Sequence, residues 1–302
     1  MRLGELDIPD AVLDARDRGE LLIFAGAGVS SGGTAQYPDF KGLIKMTESH
    51  SGRRWRGENF DHYLGALENA GVDVHRAAQQ ILTNPTSRPN PIHHDIIRLF
   101  CDAESVRVVT TNFDEHFNTA AGKHFNGAVD TYTAPALPVG NRFSGIVYVH
   151  GFVEDCPDHL VLTDRDFGKA YSTEGWARRF LVDAFRKYTI LFIGYSHNDP
   201  PMIYLTRGLT PEAEGLYAIS TDGDNAHWCH LGIKPIPYRL RKHGPRHAAV
   251  EECIHEWAGY ASMLTLEHKA KIGQLLKKSP SKLTECEDSY LNRCFRKREL
   301  LQ

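Results

Sequence analysis

Four short apolar runs organise the first two hundred residues of the chain, and each ends in glycine or in polar residues. They lie at residues 21–25, 106–110, 146–149 and 189–193. Apolar runs of this length, bounded by turn signals, are typical of buried strands. Because all four deliver polar residues or glycine at their carboxyl ends, they predict one parallel sheet with a ligand crevice along that edge.

The pattern between and after these runs predicts helices and two further strands. From about residue 41 to 104 the chain is polar with helical spacing of its apolar positions, which predicts a helical module inserted between two strands. The later elements predicted are a helix at 92–100, strands at 216–219 and 233–238, and a closing helix at 246–264.

These elements predict an α/β fold, a Rossmann-like parallel sheet with flanking helices plus the inserted helical module. We expect one domain over residues 1–264, followed by a basic helical tail or linker over residues 265–302. The tail carries nine Lys and Arg residues against five Asp and Glu residues. A basic tail can bind nucleic acid or a partner, but a solvated helical face is the favoured interpretation.

Composition narrows the class of protein. The chain has 302 residues, 41% of them hydrophobic, and a formal net charge of −3, so it can bury a full core and has no bulk attraction to nucleic acid or anionic membranes. No apolar run approaches the roughly 20 residues that cross a bilayer, and no signal region opens the chain. Six scattered cysteines are typical of thiols in a reducing compartment. We therefore expect a cytoplasmic protein.

The first strand breaks into Gly26, Ala27 and Gly28. Closely spaced glycines after a strand let backbone N–H groups approach an anion such as a pyrophosphate. The same glycines can instead serve a tight turn or close packing. This segment alone leaves both interpretations open.

Together with three later motifs, this segment resembles the sirtuin family. The motifs are Gly26-Ala27-Gly28-Val29-Ser30 with Pro38-Asp39-Phe40, Thr110-Thr111-Asn112-Phe113-Asp114, His150-Gly151, and Gly194-Tyr195-Ser196. The resemblance implies NAD as substrate. The residues that it implies in binding NAD are Gly26, Ala27, Gly28, Ser30, Asp39, Phe40, Thr111, Asp114, Gly194, Tyr195 and Ser196.

Asn112 and His150 are the candidate catalytic residues. Cleavage of the bond between nicotinamide and ribose leaves an oxocarbenium-like ribose, so a site must orient a nucleophile and take up a proton. The amide of Asn112 can orient a water or a ribose hydroxyl without adding charge, and His150 can act as a base. The resemblance implies the same pair. Alone, Asn112 could be a turn residue and His150 a buried core residue.

Other members of the motifs also have structural interpretations. Asp39 and Asp114 could each be a helix N-cap, and Ser30 and Ser196 could serve turns or caps. Lys41 stands where sirtuins commonly carry an arginine, which keeps the charge but loses the bidentate fork.

The chain has no Cys-x-x-Cys motif, whereas the protein deacylases of the family carry a zinc ribbon built from two such pairs. We therefore expect no zinc ribbon and no metal. A second group of candidate ligands, around His227, Cys229 and His230, matches no zinc spacing. In addition, the motifs Thr110-Thr111-Asn112-Phe113-Asp114 and Gly194-Tyr195-Ser196-His197-Asn198-Asp199 resemble those of the zinc-less sirtuin branch, which includes NAD hydrolases of bacterial anti-phage defence.

The leading hypothesis is an NAD glycohydrolase that yields ADP-ribose and nicotinamide and depletes NAD when triggered by infection. The alternatives are an NAD-dependent protein deacylase or ADP-ribosyltransferase, and a non-catalytic subunit that binds NAD or ADP-ribose. A toxic hydrolase must be held inactive, so we expect a homo-oligomer, a gating partner protein or a phage-derived trigger. The loop after Gly28 and the tail after Thr265 are the expected gating segments.

Overall fold

A seven-stranded parallel sheet forms the centre of the molecule in the computed structural model. The structure describes residues 1–38, 40–140, 142–196, 199–209 and 215–297, and it describes no side chain for residues 40, 49–51 and 222. The strands are β1 (Arg2–Leu3), β2 (Leu6–Asp7), β3 (Leu21–Ala25), β4 (Arg107–Thr110), β5 (Thr131–Thr133), β6 (Gly145–Tyr148), β7 (Thr189–Ile193), β8 (Leu216–Thr221) and β9 (Lys234–Tyr238).

Thirteen α-helices are found in the described part of the chain. They are α1 (Asp10–Asp17), α2 (Phe40–Ser51), α3 (Phe60–Asn69), α4 (Val74–Leu82), α5 (Pro91–Ile97), α6 (His116–Phe125), α7 (Asp164–Gly168), α8 (Trp176–Lys187), α9 (Pro200–Leu209), α10 (Asn225–His230), α11 (Ala248–Ala261), α12 (Thr265–Leu275) and α13 (Glu285–Arg296). Short 3-10 turns lie at Ala27–Val29, Ala103–Ser105, Pro157–His159, Asp222–Asp224 and Pro280–Lys282, and a π-helical turn lies at Lys169–Thr173.

The strand order in the large sheet is β5-β6-β4-β3-β7-β8-β9, and all six pairings are parallel. β1 and β2 form a separate antiparallel pair. The predicted parallel sheet is therefore confirmed. From β3 the chain continues to β4 on one side and later returns to β7 on the other side, which makes the gap between β3 and β7 a topological switch point.

The central strands consist of uninterrupted apolar residues because helices cover both faces of the sheet. In β3, Leu21, Ile23 and Ala25 face one core cluster, which includes side chains of α1, α5, α6 and α11. Leu22 and Phe24 face a second cluster, which includes side chains of α8 and α9. A strand buried on both faces has no polar alternation, which is why β3 reads as one apolar run.

The inserted helical module is also confirmed, as helices α2 to α5 between β3 and β4. Its own small core contains Leu43 of α2, Leu64 of α3 and Leu82 of α4. Leu160 and Leu162, from the segment after β6, join the same cluster. The module therefore covers the carboxyl ends of β4 and β6.

The segment after residue 264 packs onto the amino-terminal part of the chain. Ile272 and Leu275 of α12 and Leu291 of α13 are buried in the first core cluster. Arg293 of α13 forms ion pairs with Asp10, Asp14 and Asp17 of α1. The domain boundary at residue 264 stays a prediction. Within the described residues, the structure contains no helix both long and apolar enough to cross a membrane.

Candidate functional site

The carboxyl ends of three adjacent strands meet at one level of the sheet. Ala25 at the end of β3 is in register with Thr110 of β4 on one side and with Ile193 of β7 on the other. The three motifs that follow these strands therefore begin side by side.

Backbone contact between two of these motifs explains the glycines. The N–H groups of Gly26 and Gly28 donate to the carbonyl oxygens of Ile193 and Gly194, at 3.0 and 2.8 Å. A Cβ atom on Gly28 would lie 2.8 Å from the Cα of Gly194, and Gly194 has φ +63°. The glycines thus serve close packing of two backbones. Their contact with a phosphate stays a prediction.

Two pockets lie on opposite sides of the segment 27–31. The first, here called the Asn112 pocket, has a volume of about 430 Å³ including its mouth. It is lined by Ala27, Ser30, Tyr37, Pro38, Leu43, Leu82, Thr111, Asn112, Phe113 and Asp114. The second, here called the switch-point pocket, has about 1130 Å³ and is lined by side chains that include Ser31, Ser196, Thr221, Asp224, His227 and Trp228.

Asn112 is held in one orientation by a buried set of hydrogen bonds. Its Nδ2 donates to Ser30 Oγ at 3.0 Å and to the carbonyl oxygen of Gly26 at 3.2 Å. Its backbone N–H donates to Thr110 Oγ1. Because the amide nitrogen is used in both side-chain bonds, Oδ1 is the amide atom suited to accept from a ligand.

The ring of His93 forms a hydrogen bond with the Ser30 hydroxyl group. Its Nδ1 accepts from the backbone N–H of Asn90 at 3.0 Å, which leaves the proton on Nε2 to be donated to Ser30 Oγ at 3.1 Å. Burial lowers the pKa of His93 to about 3, so the ring is neutral. His93 is the third residue of α5, and its bond to Ser30 is one that the sequence did not predict.

Asp114 contributes a buried carboxyl group to the Asn112 pocket. Burial raises its pKa, against the lowering effect of nearby His116 and of the hydrogen bond from Ser30. Its Oδ1 accepts from the backbone N–H of His116 at 3.1 Å, at the first residue of α6. Its Oδ2 is buried and has no hydrogen-bond partner among the described residues. Such an atom is costly unless a ligand satisfies it.

His150 lies at the same level as Asn112 but outside the lining of its pocket. Thr110 and Tyr148 are paired in register, and Asn112 and His150 each follow two positions later. The His150 ring is buried, with Nε2 2.9 Å from Tyr171 Oη. Burial lowers its pKa to about 3. Its role as a base stays a prediction.

The remaining predicted residues separate into groups. Thr111 lines the Asn112 pocket, and Gly194, Tyr195 and Ser196 line the switch-point pocket. Asp39 lies outside the described residues, as does the side chain of Phe40. Asp199 directly precedes α9: its carbonyl accepts from Ile203 N–H, and its carboxylate accepts from Tyr195 Oη at 2.7 Å.

Sequence reasoning missed the far wall of the switch-point pocket. The residues that line this wall are Ser220, Thr221, Asp224, His227, Trp228, Tyr238, His247, Val250 and Glu251. Ser220, Thr221 and Asp224 lie at or just after the carboxyl end of β8, so the rule that located the other motifs would have found them. His227, one of the candidate metal ligands, lines this pocket together with His247. Within the described residues, no group of three or more His, Cys, Asp or Glu side chains is arranged to hold a metal ion.

Comparison with known protein families gives one assignment. Residues 106–235, from the start of β4 to β9, match the family described as SIR2-like domain. This stretch of the chain is similar to SIR2-like domains. The match covers Asn112, His150 and strand β7, whereas β3, Gly26 and Gly28 precede it.

A relative in Sinorhizobium fredii, the uncharacterized protein y4cA, is 31% identical over 290 residues. The match covers 83% of this chain but only 24% of that protein, so the chain spans about a quarter of its relative's length.

Two solved structures resemble this chain. One, described as a basis for the mechanism and regulation of Sir2 enzymes, is 16% identical with a TM-score of 0.41, covering 85% of this chain and 100% of that one. The other, a Sir2 homologue–NAD complex, is 15% identical with a TM-score of 0.44, covering 86% and 96%. With TM-scores below 0.5, neither likeness bears on the chemistry of this chain.

Proposed function

We propose that this chain is an NAD glycohydrolase that cleaves NAD to ADP-ribose and nicotinamide. NAD consists of two nucleoside halves joined by a pyrophosphate, and the two pockets share the segment 27–31 as a common wall. One half fits each pocket, with the pyrophosphate crossing at the switch point, where ligands of open α/β sheets bind.

The switch-point pocket suits the adenosine half. Trp228 and Tyr238 offer flat apolar walls, and Thr221 and Asp224 offer acceptors for ribose hydroxyl groups. The smaller Asn112 pocket suits the nicotinamide riboside half. There the unpartnered Oδ2 of Asp114 can accept from an amide N–H of the substrate.

The reaction needs little more than orientation and charge stabilisation. The bond between ribose C1′ and the pyridinium nitrogen breaks, and its electron pair leaves with nicotinamide as a neutral ring. Water attacks C1′ and loses one proton to a base or to solvent. Asn112 orients the water or a ribose hydroxyl, and the Asp114 carboxyl, when ionised, stabilises the developing positive charge.

Leu43, Leu82 and Phe113 form the apolar wall of this pocket and exclude bulk water from the bond that breaks. The observation that carries the proposal is the Asn112 amide, fixed by Ser30 and Gly26 in the same pocket as Asp114, whose Oδ2 has no hydrogen-bond partner among the described residues. A merely structural asparagine would not require an orphaned carboxylate oxygen in its pocket.

The test is mass-resolved product analysis of the purified protein with NAD, over a range of protein concentrations, with and without an acetyl-lysine peptide. We expect equal amounts of ADP-ribose and nicotinamide without peptide. Asn112→Ala should lower the rate about 100-fold or more, while circular dichroism stays unchanged. Asn292→Ala, on the exposed face of α13, is the matched control and should keep the wild-type rate.

The other outcomes separate the alternatives. Products that appear only with peptide would make the protein a deacylase, and ADP-ribose attached to protein would make it a transferase. NAD binding without products would make it a regulatory subunit. A normal rate in Asn112→Ala would overturn the site assignment.

We further propose that NAD depletion by this chain serves anti-phage defence and is gated by assembly or by a trigger. The support is the resemblance to the zinc-less sirtuin branch. A rate per protein molecule that rises with protein concentration would support assembly. In bacteria challenged with phage, NAD should fall in cells expressing the wild-type chain and not in cells expressing Asn112→Ala; equal NAD levels would refute the defence role.

A further inference from the structure

The two ring nitrogens of the candidate base His150 differ in their hydrogen-bond contacts. Nε2 lies 2.9 Å from Tyr171 Oη. Nδ1 is buried and has no hydrogen-bond partner in the described part of the chain. Since a neutral imidazole carries one proton, this contact decides which nitrogen is available to a substrate.

Tyr171 is placed by an irregular turn. It lies in the π-helical turn Lys169–Thr173, where the N–H of Glu174 donates to the carbonyl of Lys169 at 3.1 Å. Such turns insert an extra residue into a helix and are frequent at functional sites. The Tyr171 ring stacks on Phe167 at a centroid distance of 6.1 Å, and Phe167 also contacts the His150 ring edge-on at 5.2 Å.

Titratable groups face this pair from two elements. Asp199, just before α9, is the charged group that acts on Tyr171, and it accepts a hydrogen bond from Tyr195 Oη. Burial raises the pKa of Tyr171 well above its ordinary value, so the phenol keeps its proton at neutral pH. The hydroxyl can therefore act toward His150 as either donor or acceptor.

We propose that Tyr171 is a positioning residue that accepts the Nε2–H of His150 and so presents Nδ1, with its lone pair, to the attacking water or ribose hydroxyl. The water gives one proton to Nδ1, directly or through a ribose hydroxyl that accepts it and passes its own proton on, and the water oxygen forms the bond to C1′ while the C1′–N bond breaks and its electron pair leaves with nicotinamide. The imidazolium that forms keeps its Nε2–H bond to Tyr171 Oη, which stabilises the buried cation. This inference rests on the proposed hydrolase activity only for its kinetic part.

The first measurement does not need activity. Nitrogen-15 NMR of histidine-labelled protein reports which ring nitrogen carries the proton, and a His150→Gln sample assigns the signal. We expect the Nε2–H tautomer in the wild-type chain and a mixture of tautomers in Tyr171→Phe. The Nδ1–H tautomer in the wild-type chain would overturn the proposal, whether or not the variant folds.

The second measurement is the pH profile of NAD cleavage. Tyr171→Phe keeps the ring and its stacking, so we expect an unchanged KM and a kcat reduced about 10- to 100-fold, the scale for losing an outer partner of a functional histidine. The acid limb of kcat should move to lower pH, because the imidazolium loses its acceptor. An unchanged profile would refute the role of Tyr171.

Tyr188→Phe is the matched control. Tyr188 is a buried tyrosine of the same core cluster, and its hydroxyl accepts from the backbone N–H of Phe143 at 3.3 Å rather than from a histidine. It should leave the tautomer and the pH profile unchanged. If the wild-type chain shows the expected tautomer but no NAD cleavage, the proposed function fails while the positioning of His150 stands.

Discussion

At the switch point, the absence of a side chain on glycine allows two loops to approach closely. Gly26 and Gly28 meet Gly194 backbone to backbone, and a Cβ on Gly26 would lie 2.6 Å from the Gly194 carbonyl oxygen. Any larger residue must push the two loops apart. The wall between the two pockets therefore depends on these glycines, independently of any phosphate contact.

Gly28→Ala should destabilise the fold by about 1–3 kcal/mol, because the added methyl group overlaps the Gly194 backbone. Urea unfolding measures the change. Gly168→Ala is the control, since its Cβ would meet nothing within 4 Å and its helical backbone suits alanine. The control should gain roughly 0.5–1 kcal/mol. Equal effects of the two substitutions would show that the close contact is not the cause.

At the residue scale, the motifs predicted some positions and missed others. Ser30, Asn112 and Asp114 line one pocket in the structure. Ser30 follows β3 and the other two follow β4, and these strands are neighbours in the sheet. The partners of His150 were not predicted. Tyr171 is 21 residues away along the chain, in a turn with no sequence signal of its own.

At the level of secondary-structure elements, a buried ion pair joins the helical module to the rest of the molecule. Nε2 of His75 on α4 lies 2.8 Å from Oδ2 of Asp166 on α7, and both side chains are about nine-tenths buried. Asp166 also accepts from the N–H and the hydroxyl of Thr163, which caps α7. The pair therefore connects a helix of the insertion to the element that precedes Tyr171.

The pKa shifts of this pair set the pH range in which it stabilises the fold. Burial acts to lower the pKa of His75, but the hydrogen bond and charge of Asp166 outweigh it, so the pKa is raised. Burial acts to raise the pKa of Asp166, but His75 and Thr163 outweigh it, so that pKa is lowered. The stabilisation from His75 is full below its unfolded pKa of about 6.5 and is lost as pH rises through the raised value. The stabilisation from Asp166 is present above about 3.9 and is lost on acidification.

His75→Ala should lower the free energy of unfolding by about 1.5–3 kcal/mol at pH 5.5, the scale for a hydrogen bond to a charged group, and by less at pH 9. Urea unfolding at both pH values tests this. His62→Ala, an exposed histidine of α3, should change stability by less than about 0.5 kcal/mol at either pH. A loss in His75→Ala that is the same at both pH values would contradict the ionic interpretation.

At the scale of the whole molecule, the tail is built into the fold. Leu291 and Tyr290 of α13 are 5% and 3% exposed, in the same cluster as α1 and α11. The basic residues that predicted a solvated face or a partner include Arg293, Arg296 and Lys297, and these pair with the carboxylates of α1. Arg296 is largely exposed, and exposed ion pairs contribute little each, whereas Leu291 and Tyr290 attach the tail through buried apolar contacts.

Leu291→Ala should destabilise the molecule by about 2–5 kcal/mol, because it leaves a cavity in the main core. The same substitution at Leu266, which is 79% exposed on α12, should have an effect within about 0.5 kcal/mol. A single unfolding transition that shifts in Leu291→Ala would mean that the tail unfolds together with the sheet. A separate early transition, or no shift, would favour a detachable tail.

The amino-acid pattern was enough to predict the buried parallel strands, the helical insertion after β3 and the motifs at the strand ends. These follow from local patterns, because burial and helix or strand period act on residues close in the chain. The pairing of β7 with β3, the contact of Tyr171 with His150 and the docking of α13 on α1 could be found only in the folded molecule. Such contacts join residues far apart in sequence, and they depend on which surfaces are complementary once the elements pack.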